Sequence, residues 1–301
     1  LGGAMYIIGF TEAWIAVFPH HPPLNVAGIV LAFLLIISLI SAKVAMKFQY
    51  LIMVLISLSL VSFFLGKGDG AGQMVLWGGF ESAPFWTVFA IFFPAVTGIE
   101  AGAAMSGDLK DPKRSLSVGI LSAIGISFVV YVALAFWMNF SVLSESLRGS
   151  YMVMVDVSKW RTVVFAAVLG ATLSSALGSI VGGPRTLMAL GQHKVLPFGK
   201  FLGSQSKNGE PRIAIFVTGI IIGLGIVFGD LNTIAPLLTM FFLITYGTIN
   251  LVVFIEKRIG ISSYRPTFKV PIIIPFIGFA WCTTAMFLIN PLFAGSAIII
   301  I

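Results

Sequence analysis

Residues 92–98 read Phe-Phe-Pro-Ala-Val-Thr-Gly, inside an apolar run that extends from Pro84 to Gly102. Pro94 removes a backbone donor in the middle of this run, and Thr97-Gly98 gives the chain a place to leave the helix. A helix broken in this way leaves carbonyl oxygens, which suit cations, on one side of the break and N–H groups, which suit anions, on the other. Unpaired backbone at membrane depth is tolerated only where it lines a cavity or is buried in protein, so the pattern predicts bound ions or a zwitterion here. A side chain at Gly98 is expected to block the approach of that backbone to its ligand. The plainer alternative is a proline kink with close packing through the Gly98-x-x-x-Gly102 pair.

A second constellation lies at Ala171-Thr172-Leu173-Ser174-Ser175. Ala171, Ser174 and Ser175 stand at i, i+3 and i+4, so one helix face offers a backbone carbonyl and two hydroxyl oxygens to a small hard cation, and sodium fits such neutral ligands. The competing expectation is that the serines bond back to their own helix and ease packing. Tyr6 and Tyr246 are phenols well inside apolar runs, where a buried hydroxyl needs a partner and can serve a bound ion. Taken alone, each reads more simply as core. Glu12 and Glu100 are the acids placed at membrane depth, a costly position that signals function or an ion partner. Glu12, nearer the outer end of its run, is a candidate gate.

Other motifs lead elsewhere. Gly66-Lys67-Gly68-Asp69-Gly70-Ala71-Gly72 lacks the Gly-Lys-Ser/Thr ending of a phosphate loop and reads as a flexible outer loop. His20 and His21 have no Cys, His or carboxylate at ligand spacing, so no metal site is expected beyond transported alkali ions. The single cysteine, Cys282, excludes an intrachain disulfide framework and reads as packing. With no nucleophile–base pair, metal cluster or nucleotide loop in the pattern, neither an enzyme nor a cofactor is expected.

The elements that must position these residues follow from composition. Of 301 residues, 58% are hydrophobic and 10% charged, where a soluble domain carries about 25% charged residues. The bilayer is therefore the expected solvent. Apolar runs bounded by Pro, Gly and charge predict spans at 1–18, 23–41, 44–66, 85–106 with an interruption, 114–140, 161–191, 211–229, 232–255 and 269–290, and a tenth begins near 291. Both ends of the sequence look cut. The net charge of +7 reports topology rather than a nucleic-acid partner, because 14 of the 18 Lys and Arg residues fall in alternate loops, which the positive-inside rule places on the inner side. Lys67, Arg148, Lys159 and Arg161 are left for the outer side.

Phe92 to Ile99, followed by Ala101-Gly102 and Ser106-Gly107-Asp108-Leu109-Lys110-Asp111-Pro112, resembles the broken sixth helix and inner loop of the cation-chloride cotransporter family, within the amino acid-polyamine-organocation superfamily. Ala171 to Ser175 and on through Gly183-Pro184-Arg185 is similar to that family's eighth helix. Leu231 to Pro236 through Tyr246 to Asn250 is similar to its tenth, and Arg265-Pro266-Thr267-Phe268-Lys269 to the motif leading into its eleventh. Leu1 to Phe18, with Ala4 to Phe10 followed by Glu12, then matches the third helix.

The resemblance implies an all-α polytopic membrane protein of the five-plus-five inverted-repeat transporter fold. As one transport domain over 1–301 it runs from helix three to helix eleven plus the start of twelve, without helices one and two or a cytoplasmic C-terminal domain. It implies potassium at Tyr6, Pro94 and Thr97, sodium at Ala171, Ser174 and Ser175, and chloride at the Gly98, Ile99 and Glu100 N–H groups with the Tyr246 hydroxyl. Both serines favour the sodium-coupled branch. Glu100 departs from the family's apolar residue and repels a neighbouring anion unless protonated or turned away. It strengthens the alternative, an amino acid permease of the same fold; a membrane partner that no longer transports is the other alternative. The expected partners are inorganic ions, the lipid bilayer of a cell membrane and, as in the family, a second copy as a homodimer.

Overall fold

The structure, a computed structural model, describes residues 1–40, 42–70, 83–104, 106, 109–206, 210–260 and 269–300. All regular elements among these residues are helical. The long apolar helices are α1 (Gly2–Val17), α2 (Pro23–Ile40), α3 (Ala42–Phe64), α6 (Pro112–Ser141), α9 (Arg161–Gln192), α11 (Arg212–Phe228), α12 (Leu231–Ile259), α13 (Ile273–Ile289) and α14 (Pro291–Ile300). Between α3 and α6, the expected interrupted span is α4 (Phe85–Phe92), a tight 3-10 turn at Phe93–Val96 and α5 (Ile99–Ala104). Short helices α7 (Ser144–Gly149), α8 (Val153–Asp156) and α10 (Gly199–Leu202) lie in connections. The motif Arg265–Phe268 and the loop residues Gly107 and Asp108 fall outside the described residues.

Among the described residues, α6, α9 and α12 are long and apolar enough to cross a membrane by length and composition, and six further helices are apolar over shorter lengths. None of the residues of α6 is buried, and Ile126, Phe128 and Val129 are each about two-thirds exposed. A helix that is apolar all round and unburied needs an apolar solvent, and between its two end turns its backbone groups are paired within the helix. Asp111 caps the start of α6 by accepting the Arg114 N–H at 3.3 Å, with Pro112 at the first helical position, where its missing donor costs nothing.

The chain divides into two compact units. The first comprises Leu1–Gly78, Glu100–Gly107 and Leu121–Leu231. Its centre is α9, which α1, α3 and α11 line. Small residues set the contact of α1 with α9: a Cβ at Gly2 or Gly3 would lie 3.6 or 3.5 Å from Ser179, and one at Gly9 would lie 3.8 Å from Thr172. Numbers rise along one helix as they fall along the other, so the two run antiparallel.

Pro184 lies inside α9 and is fully buried. With no N–H, it leaves the Ile180 carbonyl without a helical donor. The buried Ser38 hydroxyl of α2 fills that role, donating to Ile180 O at 3.4 Å. Ser38→Ala strands a buried carbonyl and is expected to cost about 1–3 kcal/mol. The check is the thermal midpoint in detergent, where no shift relative to wild type contradicts the assignment.

At the end of this unit that charge assigns to the outer side, Phe63, Val142 and Val157 form a buried cluster, with the Phe63 and Trp137 rings 4.4 Å apart. The expected flexible loop after α3 starts differently. A methyl at Gly66 would strike the Val157 carbonyl and one at Gly68 the Ser141 carbonyl, so these glycines serve close approach. Asp69 then accepts the Leu143 N–H at 2.9 Å and the Ser146 hydroxyl, tying the start of α7 to the segment that follows α3. These bonds, the Ser146 one first, hold the Asp69 carboxyl below the usual carboxylate range. A lowered native value contributes stability that is fully present above the unfolded value and is lost as pH falls through the native one. Hydrogen exchange at the Leu143 amide is therefore expected to stay slow at neutral pH and accelerate below the carboxylate range. Asp69→Asn should blunt that dependence.

The second unit comprises Gly79–Ile99, Asp108–Ile120 and Asn232–Ile301. Its core joins Met240 and Leu243 of α12 to Ala285 and Met286 of α13 and Ala294 of α14, with Trp86 and Phe93 packed against them. The aromatic rings of Phe85, Trp86, Phe89 and Phe93 run in sequence along α4 and into the 3-10 turn. That ladder gives a short helix enough apolar contact to hold its place beside the break.

Candidate functional sites in the two units

In the first unit the candidate sodium residues share one stretch of α9. Ala171 and Ser174 are half-buried and Ser175 is exposed. Thr172 follows the packing expectation and bonds back to Val168 O at 3.0 Å and Leu169 O at 2.9 Å. Ser174 and Ser175 do not: among the described residues neither hydroxyl makes a hydrogen bond within its helix or to a neighbour. Their oxygens remain available to a ligand. Ser179, which sequence reading passed over, sits one turn further and donates to the Ser175 carbonyl at 3.2 Å.

Tyr6 belongs to the same unit. The antiparallel register of α1 on α9 brings its Cα to the level of Ser175. Its ring leans back toward Gly2, where a Cβ would be 3.9 Å from Tyr6 Cε2 and 3.6 Å from Ser179 Oγ. Glu12, the candidate gate, is exposed on α1, and Asp230 lies close enough for the two carboxylates to repel.

The second unit holds the break. Phe93 N–H still donates to Phe89 O, the 3-10 turn ends at Val96, Thr97 is extended, and Gly98 has φ +115°. Thr97 turns both its donors onto one acceptor: its hydroxyl reaches Pro94 O at 2.7 Å and its N–H reaches the same oxygen at 3.3 Å. Two of the three candidate potassium ligands, Pro94 O and Thr97 Oγ1, are thus neighbouring oxygens that a single cation can bridge once the hydroxyl rotates.

The close-packing alternative for the Gly98-x-x-x-Gly102 pair is corrected. Among the described residues nothing lies within 4 Å of a Cβ built at Gly98 or at Gly102, so close packing through that pair is not the reason for either glycine. At Gly98 the reason is the positive φ, which L side chains rarely adopt. Ile99 opens α5, and Glu100 follows it in the helix with its side chain outside the described set. Tyr246 meets the broken segment through Phe93, with ring centroids 6.4 Å apart edge to face, and stacks on Phe242 at 6.0 Å.

One residue here was not foreseen. Pro94 deprives the Ala90 carbonyl of its helical donor, as Pro184 does for Ile180. The Thr239 hydroxyl of α12 donates to Ala90 O at 2.5 Å, with Thr239 fully buried and Ala90 1% exposed. The signal was available, since any proline inside a helix strands the carbonyl four residues earlier and calls for a hydroxyl on a neighbouring element.

Comparison with known proteins follows the same pattern. The amino acid permease family model matches residues 1–301. Solute carrier family 12 member 8 of Xenopus laevis is 32% identical over 268 residues, covering 83% of this chain and 37% of its own length. Solute carrier family 12 member 2 of Mus musculus is 31% identical over 352 aligned positions, covering 95% of this chain and 29% of its own. Solute carrier family 12 member 9 of Rattus norvegicus is 34% identical over 220 residues, covering 72% and 24%. The chain spans about a third of the length of these curated relatives. A broken apolar helix, a polar face on α9 and this match over the whole sequence make the chain a multi-pass membrane protein that belongs to the amino acid permease family, on the cation-chloride cotransporter side of the amino acid-polyamine-organocation superfamily.

Proposed function

We propose that the protein is a secondary active symporter that couples sodium to potassium and chloride by alternating access in a cell membrane. The observation that carries this reading is the break at Pro94–Gly98, where paired oxygens and a backbone held in a conformation open to glycine separate two helices within one apolar run. Potassium takes the oxygens of Pro94, Thr97 and Tyr6. Sodium takes the Ala171 carbonyl and the Ser174 and Ser175 hydroxyls, whose freedom from helix back-bonding supports a ligand role. Chloride takes the N–H groups of Gly98, Ile99 and Glu100 with the Tyr246 hydroxyl. The ions are cargo, and the scheme calls for no cofactor.

The second reading is an amino acid permease in which those N–H groups bind a substrate carboxylate. The family model that matches the chain is favourable to it, as is the acid at Glu100. Uptake of radioactive rubidium into proteoliposomes holding the full-length protein separates the two. Uptake that needs both sodium and chloride supports the symporter. Sodium-driven amino acid uptake without rubidium uptake overturns it in favour of the permease.

A further inference from the structure

The broken helix is fastened at a point that the ion ligands do not include. Ala90 lies in the last turn of α4, and its carbonyl would bond the N–H of residue 94 in an unbroken helix. Proline at 94 has none, and a buried carbonyl without a donor is costly. Thr239 supplies the donor from α12 at 2.5 Å, and its own burial leaves water no access to replace it. The hydroxyl therefore fixes where α4 ends, and with it the turn that carries Pro94 O and Thr97 Oγ1.

The placement of Thr239 on α12 adds a second consequence. Thr239 and Tyr246 are seven residues apart, two turns along one helix face. Thr239 holds Ala90 while Tyr246 meets Phe93, so one face of α12 touches the broken segment in the last turn of α4 and again at the start of the 3-10 turn. The other buried proline repair, Ser38 on Ile180, lies in the first unit and carries no candidate ligand at the stranded carbonyl. Thr239 differs in that the proline it compensates is itself a candidate ligand.

We infer that Thr239 is a positioning residue for the cargo bound at the break, setting the Pro94 and Thr97 oxygens without touching the cargo itself. The inference rests on the proposed role of the break in binding, and its test separates the two. Thr239→Val keeps shape and removes the donor; Thr239→Ser restores it. In proteoliposomes with the full-length protein, Thr239→Val is expected to raise the rubidium half-saturation about tenfold. The sodium half-saturation, measured at saturating rubidium so that the coupling between the ions does not enter, stays within about twofold, and Thr239→Ser recovers most of the rubidium affinity. Equal losses for rubidium and sodium, or no rescue by serine, overturn the inference and leave Thr239 as packing. Should the wild type carry an amino acid and no rubidium, the symport reading fails, and the same split is read as amino acid against sodium.

A measurement without transport guards against a variant that merely folds poorly. Pro94→Ala restores an N–H that can reach Ala90 O. Thr239→Val should therefore lower the denaturation midpoint clearly in the wild-type background and by less than half as much beside Pro94→Ala. An equal drop in both backgrounds rejects the shared carbonyl as the reason for the residue.

Discussion

Gly98→Ala is expected to lower transport about tenfold to a hundredfold while the protein still inserts and folds. The φ of +115° lies beyond even the small left-handed region open to other residues. Forcing an L residue there costs about 1–3 kcal/mol, and each 1.36 kcal/mol corresponds to a factor of ten. The backbone escapes by rotating out of the conformation that aims the Thr97–Ile99 peptide groups. Because no atom among the described residues lies within 4 Å of the added carbon, the penalty is conformational. Alanine should therefore do nearly as much harm as leucine, whereas a steric block would grade with side-chain size. Uptake normalised to the amount of protein in the membrane checks this. Wild-type uptake by Gly98→Ala would remove the break from the mechanism.

Ser174→Ala with Ser175→Ala is expected to shift the sodium half-saturation upward about a hundredfold or more. A hydroxyl bonded to a charged partner contributes about 1.5–3 kcal/mol, and two such ligands are lost together. Ser174, half-buried, should account for more of the shift than the exposed Ser175. Thr172→Val is the matched control, since its hydroxyl is already committed to Val168 and Leu169 carbonyls. Sodium activation curves measured at fixed rubidium decide the matter. An unchanged curve in the double variant would return both serines to packing.

Much of this architecture is legible in the sequence because bilayer helices announce themselves. The expected runs 1–18, 161–191 and 211–229 correspond to Gly2–Val17, Arg161–Gln192 and Arg212–Phe228. The interruption expected near Pro94 appears as a 3-10 turn followed by an extended Thr97 and a positive-φ glycine. Local rules suffice for such features, since hydrophobic length and a missing N–H act within one segment. What stayed hidden depends on contacts distant in sequence. Thr239 is 149 positions from Ala90, and Ser38 is 142 from Ile180. A single sequence tells which carbonyls are stranded, but only packing tells which hydroxyl arrives. The Gly66 and Gly68 segment misled for the same reason: glycine for freedom and glycine for close approach look identical until the Val157 and Ser141 carbonyls are seen against them.

The antiparallel seating of α1 on α9 also makes the protein well suited to covalent cross-linking. Cys282 is the one cysteine in the 301-residue sequence and lies on α13, in the second unit. Cysteines at Gly3 and Ser179, whose Cβ atoms would lie 3.5 Å apart once the tip of the Ile222 side chain shifts aside, stand about as close as a disulfide requires. On a Cys282→Ser background that bond would form without a competing thiol from these 301 residues. A stapled protein that still turns over would mean that α1 and α9 travel as one rigid piece through the cycle. Arrest on oxidation, with recovery on reduction, would mean that cargo moves only when these two helices slide past each other.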